Sequence, residues 1–281
     1  MRRPTYPTHP AAPPPPLPPA LRTVGQVVGE SVKWYRENFW AAIAIGLGAA
    51  LTGVGAAALH HAAQLIFVLA AGSVLMTLSY IGATLVMKNA EAGPRRIAEA
   101  LLVGVVVFLP APLLVQLWVL PAVAWLALAG LVVPVILVER RRPPDALRRA
   151  LQLARADFLH VVGSLVTLML LGFLCAWVLY FLLRSQGDAV RAVAAFFTLL
   201  VISPILFIGS VVLYDDQVGR AERPLTRADR LRARRDHVAT APREVVATRP
   251  GRAPRSAVNR PARARAGRSS PPATSWRGWT S

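Results

Sequence analysis

Four long stretches of this 281-residue chain contain no Asp, Glu, Lys or Arg, and they limit the fold more than any other feature. They hold 50, 39, 26 and 23 residues and cover 38–87, 100–138, 158–183 and 192–214. A water-soluble fold needs polar faces on its surface elements, and these stretches do not supply them. The stretches therefore exclude a soluble globular protein and indicate a polytopic membrane protein.

A helix needs about 20 apolar residues to cross a bilayer, so the four stretches predict two, two, one and one spans. The expected fold class is all-α, with six transmembrane helices arranged as three hairpins. The predicted spans cover 39–59, 64–87, 99–119, 122–138, 160–183 and 190–214. Pro121, between Trp118 and Trp125, is the predicted turn between the third and fourth spans.

Both ends of the chain have compositions typical of disorder. Residues 1–20 hold nine prolines and no apolar run, which predicts an extended tail and no secretory signal. Residues 223–281 are rich in Arg, Pro, Ala and Ser and cannot bury enough apolar surface to fold. A six-helix membrane domain with interfacial helices is expected between them, at 21–222. The N-terminal tail is expected to be a solvated tether, with docking of a protein partner on the tails as the alternative, and the arginine-rich tail is expected to contact anionic lipid.

Two segments next to predicted spans are amphipathic and too charged to cross, so we expect them to lie at the membrane surface. The first covers 21–38, and its predicted apolar face holds Val24, Val27 or Val28, Val32 and Tyr35. In the second, at 139–159, Asp145 is expected to cap a helix that begins at Ala146. Its predicted apolar stripe consists of Leu147, Ala150, Leu151, Ala154 and Phe158.

The arginines of the second segment are the candidate site for anionic lipid headgroups. They are Arg140, Arg141, Arg142, Arg148, Arg149 and Arg155. Each arginine near an anionic leaflet contributes about 1 kcal/mol of binding. The alternative is that these arginines only set the topology, and the two interpretations are compatible.

Cationic residues are concentrated on one side of the predicted topology. With the N-terminus inside, the short loops place nine cationic residues inside, against only Arg184 and Arg191 outside. The positive-inside rule therefore predicts that both termini are cytoplasmic. Specific nucleic-acid binding is not expected, because the arginine-rich tail lacks interleaved aromatic residues.

A short repeat supports the hairpin arrangement. Arg36, Asn38 and Phe39 match the pattern Arg-x-Asn/Asp-Phe, which recurs at Arg155, Asp157 and Phe158. In both places an amphipathic segment ends in a polar residue and an aromatic residue begins the span. The alternative is chance similarity over four positions.

No pattern typical of a catalytic or cofactor site occurs in the sequence. The adjacent His60 and His61 would point in different directions on a helix and make a poor metal pair. We therefore expect no enzymatic activity, no cofactor and no metal. A membrane-embedded enzyme would need polar side chains that converge at one end of the spans, and the candidates are Glu139, Asp157 and His160.

The predicted spans contain no charged residue, which argues against an ion-coupled transporter. Passage of a neutral solute remains open through the polar residues of the second span, Ser73, Thr77, Ser79, Tyr80 and Thr84. Helix packing is the favoured role of these residues, because small and hydroxylated side chains let helices approach closely. Small-residue steps such as Gly46/Ala50 in the first span predict the same.

Motifs in three parts of the chain resemble those of a bacterial membrane-protein family. The residues that carry the resemblance in the run 132–163 are Pro134, Glu139, Ala146, Leu147, Arg149, Leu153, Arg155 and Phe158. The run 35–40 and the run from Tyr214 to Glu222 match in the same order, although Gln217 and Val218 depart from the pattern. The family comprises six-helix proteins that include the membrane domain attached to some glycerophosphodiester phosphodiesterases.

The resemblance implies a six-helix domain of a bacterial cytoplasmic membrane, with no established activity of its own. Phosphodiesterase activity is not expected, because residues 215–281 carry no pattern of a catalytic barrel. The predicted function is therefore that of a non-enzymatic scaffold, regulatory or membrane-organising protein that contacts anionic lipid. The alternative is a transporter or lipid-handling channel for a neutral or amphipathic solute.

Overall fold

The computed structural model describes residues 19–222, and all of its regular elements there are helical. The predicted tails at 1–18 and 223–281 lie outside the described residues. At the N-terminal boundary, Pro19–Leu21 form a short 3-10 turn rather than the end of an extended tail. The helices are α1 Val24–Glu37, α2 Phe39–Ala57, α3 His61–Phe67, α4 Ser73–Lys88, α5 Pro94–Phe108, α6 Pro110–Leu117, α7 Val119–Ala129, α8 Val132–Val138, α9 Pro143–Ala156, α10 Phe158–Leu183 and α11 Asp188–Glu222.

Six segments are long and apolar enough to cross a membrane, which confirms the predicted all-α fold class with six spans. They are Phe39–Ala57, His61–Lys88, Pro94–Leu117, Val119–Val138, Phe158–Leu183 and Ala189–Glu222. The third span begins five residues earlier than predicted, because Pro94 starts α5 directly after Gly93. The sixth continues eight residues past the predicted end, through the charged residues that follow Tyr214.

The turn between the third and fourth spans lies at Trp118, and the prediction of a turn at Pro121 is wrong. Trp118 is the one extended residue (φ −170°, ψ 151°) between α6 and α7. Pro121 is instead the third residue of α7. A proline fits there because the first N–H groups of a helix have no partner within the helix.

The first and last spans pack closely through glycine, as the small-residue steps predict. A side chain on Gly46 would overlap the backbone carbonyl of Leu200 in α11, and Pro204 lies next to it. The second span packs in the same way, with Ser79 against Gly48 of α2 and Thr77 against Gly104 of α5. Helix packing is therefore confirmed for these residues.

The amphipathic helices are α1 and α9, and each is joined to a span by one non-helical residue. Asn38 joins α1 to α2, and Asp157 joins α9 to α10. The Asp157 carboxylate accepts a hydrogen bond from the His160 N–H and so caps α10. The predicted repeat therefore corresponds to a repeated local geometry at the start of two spans.

The apolar faces of α1 and α9 differ from the predicted stripes. Arg142 is the N-cap of α9, so Asp145 lies in the first turn and does not cap the helix. The buried face of α9 consists of Ala146, Ala150, Leu153 and Ala154, whereas Leu147 and Phe158 are exposed. In α1, Val27 and Ser31 are buried and Val32 is exposed. The reason is that α9 packs small alanines against the spans, which leaves the larger Leu147 facing outward.

Candidate functional site

The helices α1 and α9 and the last turns of α11 meet at one end of the bundle, which we call the basic end. The turns at 58–60, 118 and 184–187 lie at the opposite end, because the six spans alternate in direction. The last segment of α11, residues 214–222, supplies polar side chains to both groups of ion pairs at this end. The basic end is therefore organised around the end of the last span.

A compact group of charged residues connects this segment to two other parts of the chain. The Arg220 guanidinium donates from Nη1 to Asp157 Oδ2 at 2.7 Å and from Nη2 to the Arg22 carbonyl at 2.8 Å. Arg22 in turn donates to Asp216 Oδ1 at 3.4 Å. These contacts tie Arg22, two residues before α1 begins, and Asp157, directly before α10, to α11.

His160 lies between two members of this group. Its Nε2 atom is 3.3 Å from Arg220 Nη2 and 3.5 Å from Asp216 Oδ2. Neutral imidazole accepts from the guanidinium at this nitrogen, and imidazolium pairs with the carboxylate instead. The side chain of Asp216 is 0% exposed, so its charge depends on these cationic neighbours. We call Arg22, Asp157, His160, Asp216 and Arg220 the α11 ion-pair cluster.

A second group surrounds Glu139, at the end of α8. Its carboxylate accepts from Arg141 Nε at 2.8 Å, from Arg149 Nε at 3.4 Å and from the Tyr214 hydroxyl at 3.2 Å. Asp215 of α11 also pairs with Lys88 at the end of α4. The end of α11 is therefore joined to α4, α8 and α9 as well.

The three residues considered for an embedded enzyme, Glu139, Asp157 and His160, do not form one group. Asp157 and His160 are both in the α11 ion-pair cluster, whereas Glu139 is in the second group. Each carboxylate already faces an arginine or a lysine, which suits it for holding helices together. In residues 19–222 no set of three or more His, Cys, Asp and Glu side chains is arranged to hold a metal ion.

Gln217 is a fully buried residue that the charge patterns did not single out. Its amide oxygen and nitrogen have no hydrogen-bond partner among the described residues. It is also one of the two positions at which the resemblance fails. A buried amide without a partner costs stability, so this side chain is a local weakness of the α11 segment.

Most of the predicted lipid-contact arginines lie on the outer surface of the basic end. Arg149 is half-buried against Glu139, and Arg141 shares the same partner. The remaining four are exposed, and none of them forms an ion pair with a described acidic residue. We call this set the arginine collar: Arg140, Arg142, Arg148 and Arg155.

Arg140 also lines an open crevice of about 600 Å³ with Arg96. The Arg140 backbone is left-handed (φ 55°), which is uncommon outside glycine, and it turns the chain out of α8. Its Nη2 atom donates to the Glu91 carbonyl at 3.4 Å across the crevice. Two guanidinium groups on one crevice provide donors for an anionic group, although Glu91 lines the same crevice.

The sequence indicated part of this arrangement. It identified the collar arginines as candidates, and it placed Asp157, His160 and the 214–222 segment at one membrane face. It did not predict that Asp216 meets Arg22, because 194 residues separate them. The one local signal was the spacing of Asp216 and Arg220, which puts both side chains on the same face of a helix.

Comparisons of the chain with protein-family models, with curated protein sequences and with solved structures found no match. The resemblance to the membrane domain of glycerophosphodiester phosphodiesterases therefore stays a prediction.

Proposed function

We propose that this protein is a non-enzymatic integral membrane protein with a scaffold, regulatory or membrane-organising role, whose arginine collar contacts anionic lipid headgroups. The observation that carries the proposal is the exposure of four guanidinium groups without acidic partners in the described part of the chain. Unpaired arginines near an anionic leaflet each add about 1 kcal/mol of attraction.

The surroundings of the collar support this placement. Leu147 is exposed beside the collar on α9, and Leu159 is 85% exposed at the start of α10. Exposed leucines next to arginines are typical of the boundary between hydrocarbon and headgroups, where each side chain meets its own solvent. The collar therefore has the composition expected of a headgroup contact.

We further propose that the basic end faces the cytoplasm of a bacterial cell, so that both termini are cytoplasmic. The proposal rests on the positive-inside rule. The opposite end carries only two arginines, Arg184 in the turn before α11 and Arg191 in the first turns of α11. The anionic leaflet is then the natural partner of the collar. The tails, which lie outside the described residues, are proposed as docking segments for a protein partner.

A comparison of two arginine variants tests the collar. In Arg148→Gln, we expect the full-length protein to bind phosphatidylglycerol about fivefold more weakly, which corresponds to about 1 kcal/mol. The matched control is Arg184→Gln at the opposite end, where the guanidinium lies 4.2 Å from the centre of the Phe181 ring. Native mass spectrometry with phosphatidylglycerol and phosphatidylcholine titrations measures the difference.

Equal losses in the two variants would contradict the proposal, as would equal weakening of phosphatidylcholine binding. Deletion of residues 223–281 is a second arm of the experiment. We expect it to weaken phosphatidylglycerol binding further and to leave membrane insertion unchanged, because all six spans precede residue 223.

The alternative function is a transporter or lipid-handling channel. The observation that favours it is a large cavity at the end of the bundle away from the collar.

A further inference from the structure

A cavity of about 810 Å³ lies between the first, second, third and sixth spans, toward the opposite end of the bundle. Sites for small molecules commonly have volumes of about 300–1,000 Å³, so the cavity is large enough for a lipid-sized ligand. It begins near His61 and Gln116, beside the turns at the opposite end. Its deepest lining residues include Phe207, next to the middle of α11.

The lining is largely apolar and has hydrogen-bonding groups at two depths. Gln64 and Gln116 lie near the mouth, and Ser73 lies nine residues further along the second span. At a rise of 1.5 Å per residue, Ser73 is about 13 Å deeper than Gln64. No Asp, Glu, Lys or Arg is among the described residues that line the cavity. Beyond His61 at the mouth, a charged ligand would have no compensating charge, so the lining favours an uncharged one.

Ser73 has a hydroxyl without a partner. The residue is 2% exposed, and its Oγ atom has no hydrogen bond with any described residue. Two other buried hydroxyls differ in this respect. Thr52 Oγ1 donates to the Gly48 carbonyl, and Thr77 Oγ1 donates to the Ser73 carbonyl, each at 2.7 Å. The Ser73 hydroxyl is itself buried, and an unpaired hydroxyl is costly in an apolar interior, so a ligand oxygen that reaches it would relieve this cost.

The local geometry of the second span changes directly before Ser73. A π-helical turn at Val68–Gly72 immediately precedes it, and both end residues of this turn line the cavity. Turns of this kind are frequent at functional sites because they shift the register of a helix. Gly72 faces Thr52, where an added Cβ would lie 2.9 Å from the methyl group. The wall at this point is therefore built from small groups.

Aromatic rings form the floor. Phe108 and Phe207 line the cavity, and the Tyr80 ring lies 6.2 Å from Phe108 and 6.3 Å from Phe207. On the far side of these rings is a much smaller cavity of about 40 Å³. A ligand that enters from the opposite end therefore stops at the rings, beside Ser73.

We propose that this cavity binds an uncharged lipid-like molecule whose hydroxyl or carbonyl oxygen hydrogen-bonds to Ser73 and whose hydrocarbon skeleton fills the apolar space toward the mouth. Leu65, Val68 and Leu206 provide the apolar surface for that skeleton. The site is at the other end of the bundle from the arginine collar. The cavity proposal is therefore independent of the proposed headgroup contact, and an experiment can contradict one of the two proposals without affecting the other.

The test uses photoactivatable hexadecanol that carries a diazirine, with the full-length protein in phosphatidylcholine vesicles. We expect crosslinks in the peptides around 61–76 and 108–116, which are mapped by mass spectrometry. Unlabelled hexadecanol or a short-chain isoprenoid quinone should compete. Stronger competition by hexadecanol would identify a hydroxyl as the preferred polar group of the ligand, and stronger competition by the quinone would identify a carbonyl. No competition by either compound would overturn the proposal.

Two pairs of variants locate the binding. Ser73→Ala should weaken binding about 2- to 10-fold, the range expected for one hydrogen bond. Ser164→Ala should leave it unchanged, because Ser164 is also buried with an unpaired hydroxyl but lies outside the cavity. Val115→Trp should abolish binding by filling the mouth. Val106→Trp is the control, since Val106 is exposed on the same span but does not line the cavity.

Three results would overturn the inference. The first is labelling spread evenly over the lipid-facing helices and insensitive to Val115→Trp, which would show bulk lipid contact alone. The second is equal labelling by a diazirine-bearing palmitate, which would show that the site does not select against charge. The third is unchanged binding in Ser73→Ala, which would remove the proposed hydrogen bond.

Discussion

Replacement of Arg220 by methionine is the sharpest test of the α11 ion-pair cluster. The Arg220 side chain is 10% exposed and makes short contacts with Asp157 (2.7 Å) and the Arg22 carbonyl (2.8 Å). Removal of one partner of a buried ion pair costs about 3–5 kcal/mol, because the other charge stays buried. Asp157 remains 19% exposed, so water can solvate it in part. We therefore expect the lower end of this range, about 3 kcal/mol.

The measurement is thermal unfolding of the full-length protein in one mild detergent, followed by tryptophan fluorescence. A loss of about 3 kcal/mol should lower the apparent Tm by roughly 6–12 °C, since 1 kcal/mol shifts a chain of this size by about 2–4 °C. The control is Arg95→Met, which removes an i,i+4 pair with Glu99 in which the arginine is 91% exposed. Such pairs contribute at most about 0.5 kcal/mol, so the control should shift Tm by no more than about 2 °C.

A double-mutant cycle separates the ion pair from general damage. Asp157→Asn keeps a side-chain acceptor for the N-cap of α10 and removes the charge. In that background Arg220→Met should cost less, with a coupling energy of about 0.5–3 kcal/mol. Strict additivity, or an Arg220→Met variant as stable as Arg95→Met, would refute the reasoning.

Two further predictions concern helix packing and topology. Gly46→Ala should destabilise the protein by about 1–3 kcal/mol, because the added methyl overlaps a backbone carbonyl of α11. Gly82→Ala should instead stabilise the protein by about 0.5–1 kcal/mol, because Gly82 has open space around it and alanine favours the helix. Opposite signs in thermal unfolding are the expected result, and equal effects would contradict the packing. In a Cys175→Ser background, a membrane-impermeant maleimide added to intact cells should label Ser185→Cys and not Glu91→Cys. The reverse pattern would overturn the proposed orientation.

The spans and the interfacial helices could be predicted from the sequence because their signals are local. Each charge-free stretch must cross the bilayer, and its length alone gives the number of crossings. The alternation of arginines with apolar residues likewise predicts α9 as an amphipathic helix. The predicted apolar stripe was wrong at Leu147 and Phe158, because packing of alanines against neighbouring spans determined the buried face rather than side-chain hydrophobicity.

The ion pairs and the cavity could not be predicted because they depend on how distant spans meet. Asp216 meets Arg22 only when the first and last elements lie side by side. Ser73 also directly follows a π-helical turn, which no pattern in Val68–Gly72 predicts. Ser73 and Thr77 therefore have the same significance in the sequence, although one lines the cavity and the other packs against Gly104.

The adjacent residues Arg148 and Arg149 show why a count of cationic residues cannot assign their roles. Successive residues on a helix point about 100° apart, so one of the two faces outward and the other turns inward to Glu139. The inward arginine compensates a carboxylate and joins α9 to α8, whereas the outward one is exposed and has no acidic partner among the described residues. The positive-inside rule counts both equally. Loss of Arg149 should therefore weaken the fold first, and loss of Arg148 should weaken lipid contact first, although both substitutions change the net charge by the same amount.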